Sequence, residues 1–234
     1  MKVKLQKMHL LINTIAKGYN MYGEKKPNYF SNVRSDVFSY LPEKVDRVLE
    51  IGCGTGETLS FIKSKYKNST AVGIELTESA AELASKKIDL VKNIDVENYN
   101  LLTELGKFDL ILLLDVLEHL KDPWIILKSL AENNLTSGGT VITSIPNARN
   151  HTLLIQLLLG NFEYTESGIL DRTHLRFFTR KSMLKMIKEA GLNILECKPT
   201  NINGNSRSSL LNKLSFGFFS DFLAVQYIIK SIKK

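Results

Sequence analysis

The chain has 234 residues, 44% of them apolar and 24% charged, which is ordinary for one sizeable globular domain with small additions. Its net charge is +7, with basic ends around an acidic middle. That balance suits anionic partners (phosphorylated substrates, nucleic acid, an anionic membrane face) or simply solvated helix faces. Two cysteines exclude a disulfide framework and fit a reduced, cytoplasmic protein. No basic-then-apolar leader opens the chain, and no uncharged apolar run reaches the ~18 residues of a membrane span.

Leu5, Met8, Leu11, Ile12 and Ile15 recur at helical spacing, which predicts an amphipathic helix over 4–17. A polar, aromatic stretch follows, in which Tyr29 and Asn32 are placed to cover a bound ligand or to pack. A short helix near 36–41 leads to Pro42. From there strands and helices alternate. Strands are expected at 47–52, 70–76, 93–99, 108–116 and 140–146, and helices at 55–66, 77–88 and 123–134. Parallel strands need helical crossovers, so the alternation means an α/β, doubly wound, mostly parallel sheet. A helix from His151 ending at Gly160, a loop entering a strand over 166–179, a helix over 181–191 and a strand over 192–202 continue it. The last thirty residues read as one or two helices. The expected organisation is an N-terminal helical segment (1–44), a ligand-binding domain (45–203) and a C-terminal helical extension (204–234).

Val48–Glu57 reads "VLEIGCGTGE", a strand running into a glycine turn and then a helix. Glycine is needed where the backbone takes positive φ or must approach a ligand closely, and Gly52, Gly54 and Gly56 supply this. A dinucleotide turn has G-x-G-x-x-G with pyrophosphate on the helix N-terminus. Here the third glycine comes one place early, and Glu57 stands at the dinucleotide position. Glu50, two residues before Gly52, adds a second negative charge. Both acids favour a cationic ligand over a phosphate.

This turn resembles the E/D-x-G-x-G-x-G motif of class I S-adenosylmethionine-dependent methyltransferases. The resemblance implies a Rossmann-like, seven-stranded fold with helical additions, and a cofactor carrying a sulfonium and an ammonium. It places Glu50, Gly52, Cys53, Gly54 and Gly56 around that cofactor. Glu75 and Leu76 in "GIEL" would meet the ribose hydroxyls, as acids at this position do in dinucleotide sites. Asp95 and Val96 in "NIDVE" would meet the adenine.

A second constellation, Asp115, Glu118 and His119, follows the fourth strand in "LDVLEHLKDP". If a helical turn begins there, the three share one face and can hold a divalent cation, deprotonate a hydroxyl or orient a substrate. His174 in "DRTHLRFFT" is the further candidate. An imidazole with pKa near ~6.5 suits removal of a hydroxyl proton. These segments resemble a bacterial branch of the family associated with surface-polysaccharide and glycosyl-transfer pathways. The same pattern occurs in ubiquinone-pathway and small-RNA 2′-O-methyltransferases, where it implies metal-assisted O-methylation. Carried over, the metal ligands are Asp115, Glu118, His119 and His174, with Mg²⁺ as one candidate ion. Asp115 also counts toward cofactor binding, and Asp115, His119 and His174 toward catalysis.

The expectation is O-methylation of a hydroxyl on a sugar or glycan precursor. Alternatives are an RNA 2′-O- or quinone-type small-molecule acceptor, or a cofactor-binding scaffold without catalysis. No RNA-binding module is visible, so no specific nucleic acid is expected. The apolar, aromatic and then basic C-terminal run allows peripheral contact with an anionic membrane, capping of the protein's own core, or a dimer interface.

Overall fold

The computed structural model describes residues 32–200 and 220–234. The strands are β1 Arg47–Ile51, β2 Thr70–Glu75, β3 Leu90–Asn93, β4 Phe108–Leu114, β5 Leu135–Pro146, β6 Leu192–Thr200 and β7 Gln226–Lys233. They form one sheet in the order β3-β2-β1-β4-β5-β7-β6. The first five are parallel, and β7 runs antiparallel to both β5 and β6. The helices are α1 Glu57–Lys65, α2 Glu78–Ala84, α3 Pro123–Ser129, α4 His151–Leu158, α5 Arg180–Glu189 and α6 Ser220–Leu223. This is the Rossmann-like, doubly wound architecture expected, mostly parallel, with one strand, β7, set antiparallel to its two neighbours.

Period-two alternation explains why the sheet is covered on both faces. Leu49, Ile51, Ile111, Leu113 and Val141 point to one side, where α3 brings Ile126 and Leu127 and α5 brings Met183, Met186 and Ile187. Val48, Leu110, Leu112 and Ile142 point to the other, against Leu59 and Ile62 of α1, Ala84 of α2 and Val37 and Tyr40 of a 3-10 turn over Ser35–Tyr40. Strand order reverses between β1 and β4, so a crevice opens beyond their carboxyl ends, where ligands bind in sheets of this kind.

Three expectations are corrected. The C-terminal run is a strand over Gln226–Lys233, not a helix. Its Tyr227, Ile228 and Ile229 are all buried, because β7 lies inside the sheet between two partners. That removes the described part of the expected membrane-facing or dimer-forming helix, and the sheet itself extends past the expected boundary at 203. The third strand lies at Leu90–Asn93 rather than 93–99, at the sheet edge with little burial. Between 166 and 179 there are only isolated bridges, Asn147 with Phe178 and Thr165 with Asp171. The expected helix over 4–17, Tyr29 and residues 201–219 lie outside the described residues. Among the described residues no helix is long and apolar enough to cross a membrane.

Candidate functional site

Gly52, Gly54 and Gly56 all take positive φ, at 68°, 54° and 81°, so the spacing read from sequence is a conformational requirement. The N–H groups of Gly52 and Cys53 both bond the Ile74 carbonyl (2.8 and 3.0 Å), and Gly56 N–H bonds the Cys53 carbonyl (2.9 Å). These bonds lash the turn to β2. Cys53 turns its side chain into the core, against Gly73, so its thiol packs the turn and is not a ligand. Gly56 caps α1, whose first residue, Glu57, is paired with Lys87 (2.6 Å).

Glu75 closes β2 with a carboxylate already oriented. Its Oε2 accepts from Gly54 N–H (2.9 Å) and its Oε1 from Thr77 N–H (2.8 Å). Each oxygen keeps one lone pair for a ligand hydroxyl. Leu76 beside it is exposed. Asn93, which sequence reasoning missed, donates its amide to the Glu75 and Leu76 carbonyls (2.8 and 2.9 Å) and joins the ends of β2 and β3. Asp95 follows β3 by two residues. Its Oδ1 accepts from Glu97 N–H (2.9 Å) in an Asx turn, and Val96 next to it is buried.

Glu50 is the unusual acid. It is 3% exposed, and its Oε2 has no hydrogen-bond partner among the described residues. Burial drives its pKa up to about 8, with Arg34 opposing the rise and Glu75 adding to it. An orphaned carboxylate oxygen beside a glycine turn is complementary to a cation, which tests the acidic-crevice reading on the geometry itself.

Arg34 also escaped the sequence reading. It sits just before the 3-10 turn and its N–H bonds Thr58 Oγ1 (3.2 Å). Its guanidinium pairs with Asp36 (2.9 Å) and Asp115 and donates to Ser144 Oγ (2.8 Å). Burial opposes the charge, but Asp36 and Asp115 outweigh it and hold the group protonated. Asn32, two residues earlier, is exposed.

Asp115 takes φ 58°, the one left-handed non-glycine among the described residues. That breaks the helical face assumed from its spacing. The 3-10 turn that follows starts at Leu117, and the Asp115 carboxylate is engaged by Arg34 and by the Gln226 amide from β7. It is therefore not part of the histidine cluster, which corrects its assignment as a metal ligand.

Glu118, His119 and His174 do come together. One ligand atom from each lies within 4.8 Å of the others. His119 Nδ1 lies 3.1 Å from the Thr173 carbonyl, and His174 Nδ1 lies 2.9 Å from the Ile169 carbonyl. A carbonyl only accepts, so both Nδ1 atoms carry protons, and His174 Nε2 lies 4.0 Å from Glu118 Oε1. The Glu118 carbonyl accepts from Leu175 and Arg176 N–H (2.8 and 2.9 Å), which pins the second histidine's segment against the first. Glu118 is buried, and neither carboxylate oxygen has a hydrogen-bond partner among the described residues. Burial, and then the Asp115 charge, push its carboxyl well above the ordinary carboxylate range.

Two polar residues after β5 are structural. Asn147 makes an Asx turn with Arg149 N–H (3.1 Å) and donates to the Asp221 and Ala224 carbonyls (2.7 and 2.9 Å). His151 Nδ1 bonds the Phe222 carbonyl (3.0 Å).

Comparison with known proteins follows the same lines. A family profile described as "Methyltransferase domain" matches residues 22–197. The chain is 29% identical over 150 residues to a trans-aconitate 2-methyltransferase of Deinococcus radiodurans; the match covers 61% of this chain and 57% of that protein, less than two thirds of its length. It is 26% identical over 189 residues to a ubiquinone biosynthesis O-methyltransferase of Coxiella burnetii, covering 76% and 77%. Among solved structures, a SAM-dependent methyltransferase from Archaeoglobus fulgidus superposes with a TM-score of 0.59 at 18% identity, covering 93% of this chain and all of that one. The plantazolicin methyltransferase BpumL, solved with SAH, gives 0.57 at 17% identity, covering 89% and 81%. At these identities the structures share the fold.

Proposed function

The chain belongs to the methyltransferase domain family and is an S-adenosylmethionine-dependent methyltransferase, and from that premise we propose that it methylates a hydroxyl oxygen, on a sugar or glycan precursor, at the Glu118–His119–His174 cluster. The observation that carries the reading is the convergence of those three side chains at the carboxyl end of β4, next to the glycine crevice.

Glu50 would face the cationic end of the cofactor, Glu75 its ribose and the Asp95–Val96 turn its adenine. Arg34, paired with Asp36 and Asp115, would exchange one of them for the cofactor's own carboxylate. When bound, the cofactor supplies an electrophilic methyl group on sulfur. The protein's part is mostly proximity and orientation, presenting the acceptor oxygen in line with that methyl. His119 or His174, with Nδ1 already donating to a carbonyl, would take the hydroxyl proton on Nε2.

The same cluster fits a divalent cation: two imidazoles whose Nδ1 atoms are fixed by carbonyls, and one carboxylate without a hydrogen-bond partner among the described residues. With Asp115 drawn away by Arg34 and Gln226, the set is richer in nitrogen than Mg²⁺ favours. It suits Zn²⁺, Mn²⁺ or Fe²⁺ better. A cation held there would lower the pKa of the acceptor hydroxyl.

A phenolic hydroxyl is the second reading, favoured by the similarity to a ubiquinone biosynthesis O-methyltransferase; the site groups would play the same parts. Incubating labelled cofactor with a cell extract and identifying the labelled product tests both. Label in a sugar ether supports the first and label in a phenol ether the second. Label in RNA or on nitrogen overturns both.

A further inference from the structure

The histidine cluster does not end at the histidines. His119 and His174 meet edge to face (4.7 Å between ring centroids), His174 meets Phe177 (6.5 Å), Phe177 meets Phe162 (5.7 Å) and Phe162 meets Tyr164 (5.5 Å). A line of rings therefore runs from the buried His174 and half-buried His119 out to the surface. Its outer members are open to solvent, Phe177 at 38% and Tyr164 at 53% exposure. Just before Phe162, α4 ends at Leu158 and is capped by Leu159, which are 86% and 72% exposed. The chain folds back there through Gly160, with Asn161 N–H on the Gln156 carbonyl (2.8 Å). Large aliphatic side chains this open, grouped with aromatic ones, mark a surface built to be covered.

We propose that the acceptor is an amphiphile: its hydroxyl-bearing head sits at Glu118, His119 and His174, and an apolar tail lies along Phe177, Phe162, Tyr164 and the Leu158–Leu159 end of α4. The inference rests on the hydroxyl reading above and names its substrate class. Continuity decides the occupant. One end of the ledge is a cluster of two imidazoles and a carboxylate, and the other is mostly apolar, with the Tyr164 hydroxyl its one polar atom among the side chains named, so a single molecule filling both has a polar head and an apolar tail. An anionic membrane surface fits less well. Three nearby cations are paired with acids, Arg172 with Glu166, Lys121 with Glu97 and Arg149 with Asp221, and Arg176 is turned onto the Lys121 carbonyl and the Trp124 ring, which leaves a thin basic rim to attract it.

Trp124, the chain's single tryptophan, provides the test. It is exposed, packs on Phe178 (5.9 Å) and lies under Arg176 (5.9 Å), whose N–H is bonded to the Glu118 carbonyl. The full-length protein is titrated with monomeric octyl glucoside, and separately with glucose, while Trp124 fluorescence is followed. Octyl glucoside should give a saturable change, glucose should give none, and the triple substitution Leu158→Gln, Leu159→Gln, Phe162→Ser should weaken binding at least about tenfold. Circular dichroism and cofactor affinity should be unchanged in that variant, because the replaced side chains are open to solvent. A change that does not saturate, or one the triple substitution leaves intact, overturns the proposal. So does self-association abolished by the same substitutions, or a response to neutral phosphatidylcholine vesicles but not to the monomer. His174→Ala separates the two layers of the reading. Methyl transfer that persists in it sinks the hydroxyl site, whereas the ledge stands or falls on the titration alone.

Discussion

Glu50→Gln tests whether the glycine crevice is built for a cation. Glu50 is buried, one of its oxygens is unpartnered, and its pKa is raised from 4.5 to about 8. A folded-state pKa above the unfolded one means that the native protein holds this proton more tightly. Between the two values the unfolded chain is ionised and the native carboxyl is not, so stability falls as pH rises through that window. Below about pH 4.5 the group costs nothing, and above about 8 the cost is complete and constant. At 1.36 kcal/mol per unit, the span between about pH 5 and pH 8 amounts to roughly 4 kcal/mol. The glutamine amide brings its own desolvation cost, but that cost does not vary with pH. The stability difference between Glu50→Gln and the unsubstituted protein should therefore move by roughly 4 kcal/mol in favour of the variant across this window. Urea unfolding of both proteins at several pH values measures it directly. Saturating S-adenosylmethionine should flatten the pH dependence of the unsubstituted protein, because a cation beside the carboxylate favours its ionised form. The variant should bind the cofactor about 10–100-fold more weakly, the usual worth of a hydrogen bond to a charged group. A stability difference that stays constant with pH, or an unchanged cofactor affinity, would refute the reasoning.

Other expectations concern particular neighbours. Gly73→Ala would place a methyl group 2.5 Å from Cys53 Sγ and 3.0 Å from Ile88 Cδ1; it should cost about 1–3 kcal/mol in urea unfolding, most of it recovered when Cys53→Ala is added. Arg34→Ala should weaken S-adenosylmethionine about tenfold or more but leave its decarboxylated analogue nearly unchanged in calorimetry, since Arg34 is assigned to the carboxylate. Equal losses for both ligands would remove that assignment. Loading with Zn²⁺ or Mn²⁺ followed by desalting should leave about one ion per chain, and His119→Ala, His174→Ala or Glu118→Gln should each abolish retention; Asp115→Asn should not, because Asp115 lies outside the cluster. Deleting 226–234 should prevent recovery of folded protein, because β5 and β6 share β7 as a partner.

What was legible in the sequence is what one local segment determines. Three glycines at alternate positions announced three positive-φ residues, and Glu75 announced an acid at the end of a buried strand. Features set by partners far along the chain left weaker traces. "QYIIKSIK" holds three consecutive apolar residues, and a strand buried on both faces cannot be told from a buried helix by periodicity. Its strand state comes from the slot between β5 and β6, whose open backbone groups only an extended chain can satisfy. At β3 the opposite holds: "LVKN" is an edge strand with little burial, so it has no apolar pattern to read. The one-face argument for Asp115, Glu118 and His119 assumed an unbroken helical turn, and a single left-handed residue at Asp115 invalidated it. Arg34 is the clearest case, because a lone arginine has no pattern at all. Its meaning appears only when β4 and β5 deliver Asp115 and Ser144 to the same point. The glycine turn and the acid closing β2 are local and were readable, whereas the Glu118–His119–His174 cluster is assembled from the turn after β4 and the segment before α5. A change in either segment would therefore alter the proposed acceptor site while leaving the glycine turn intact.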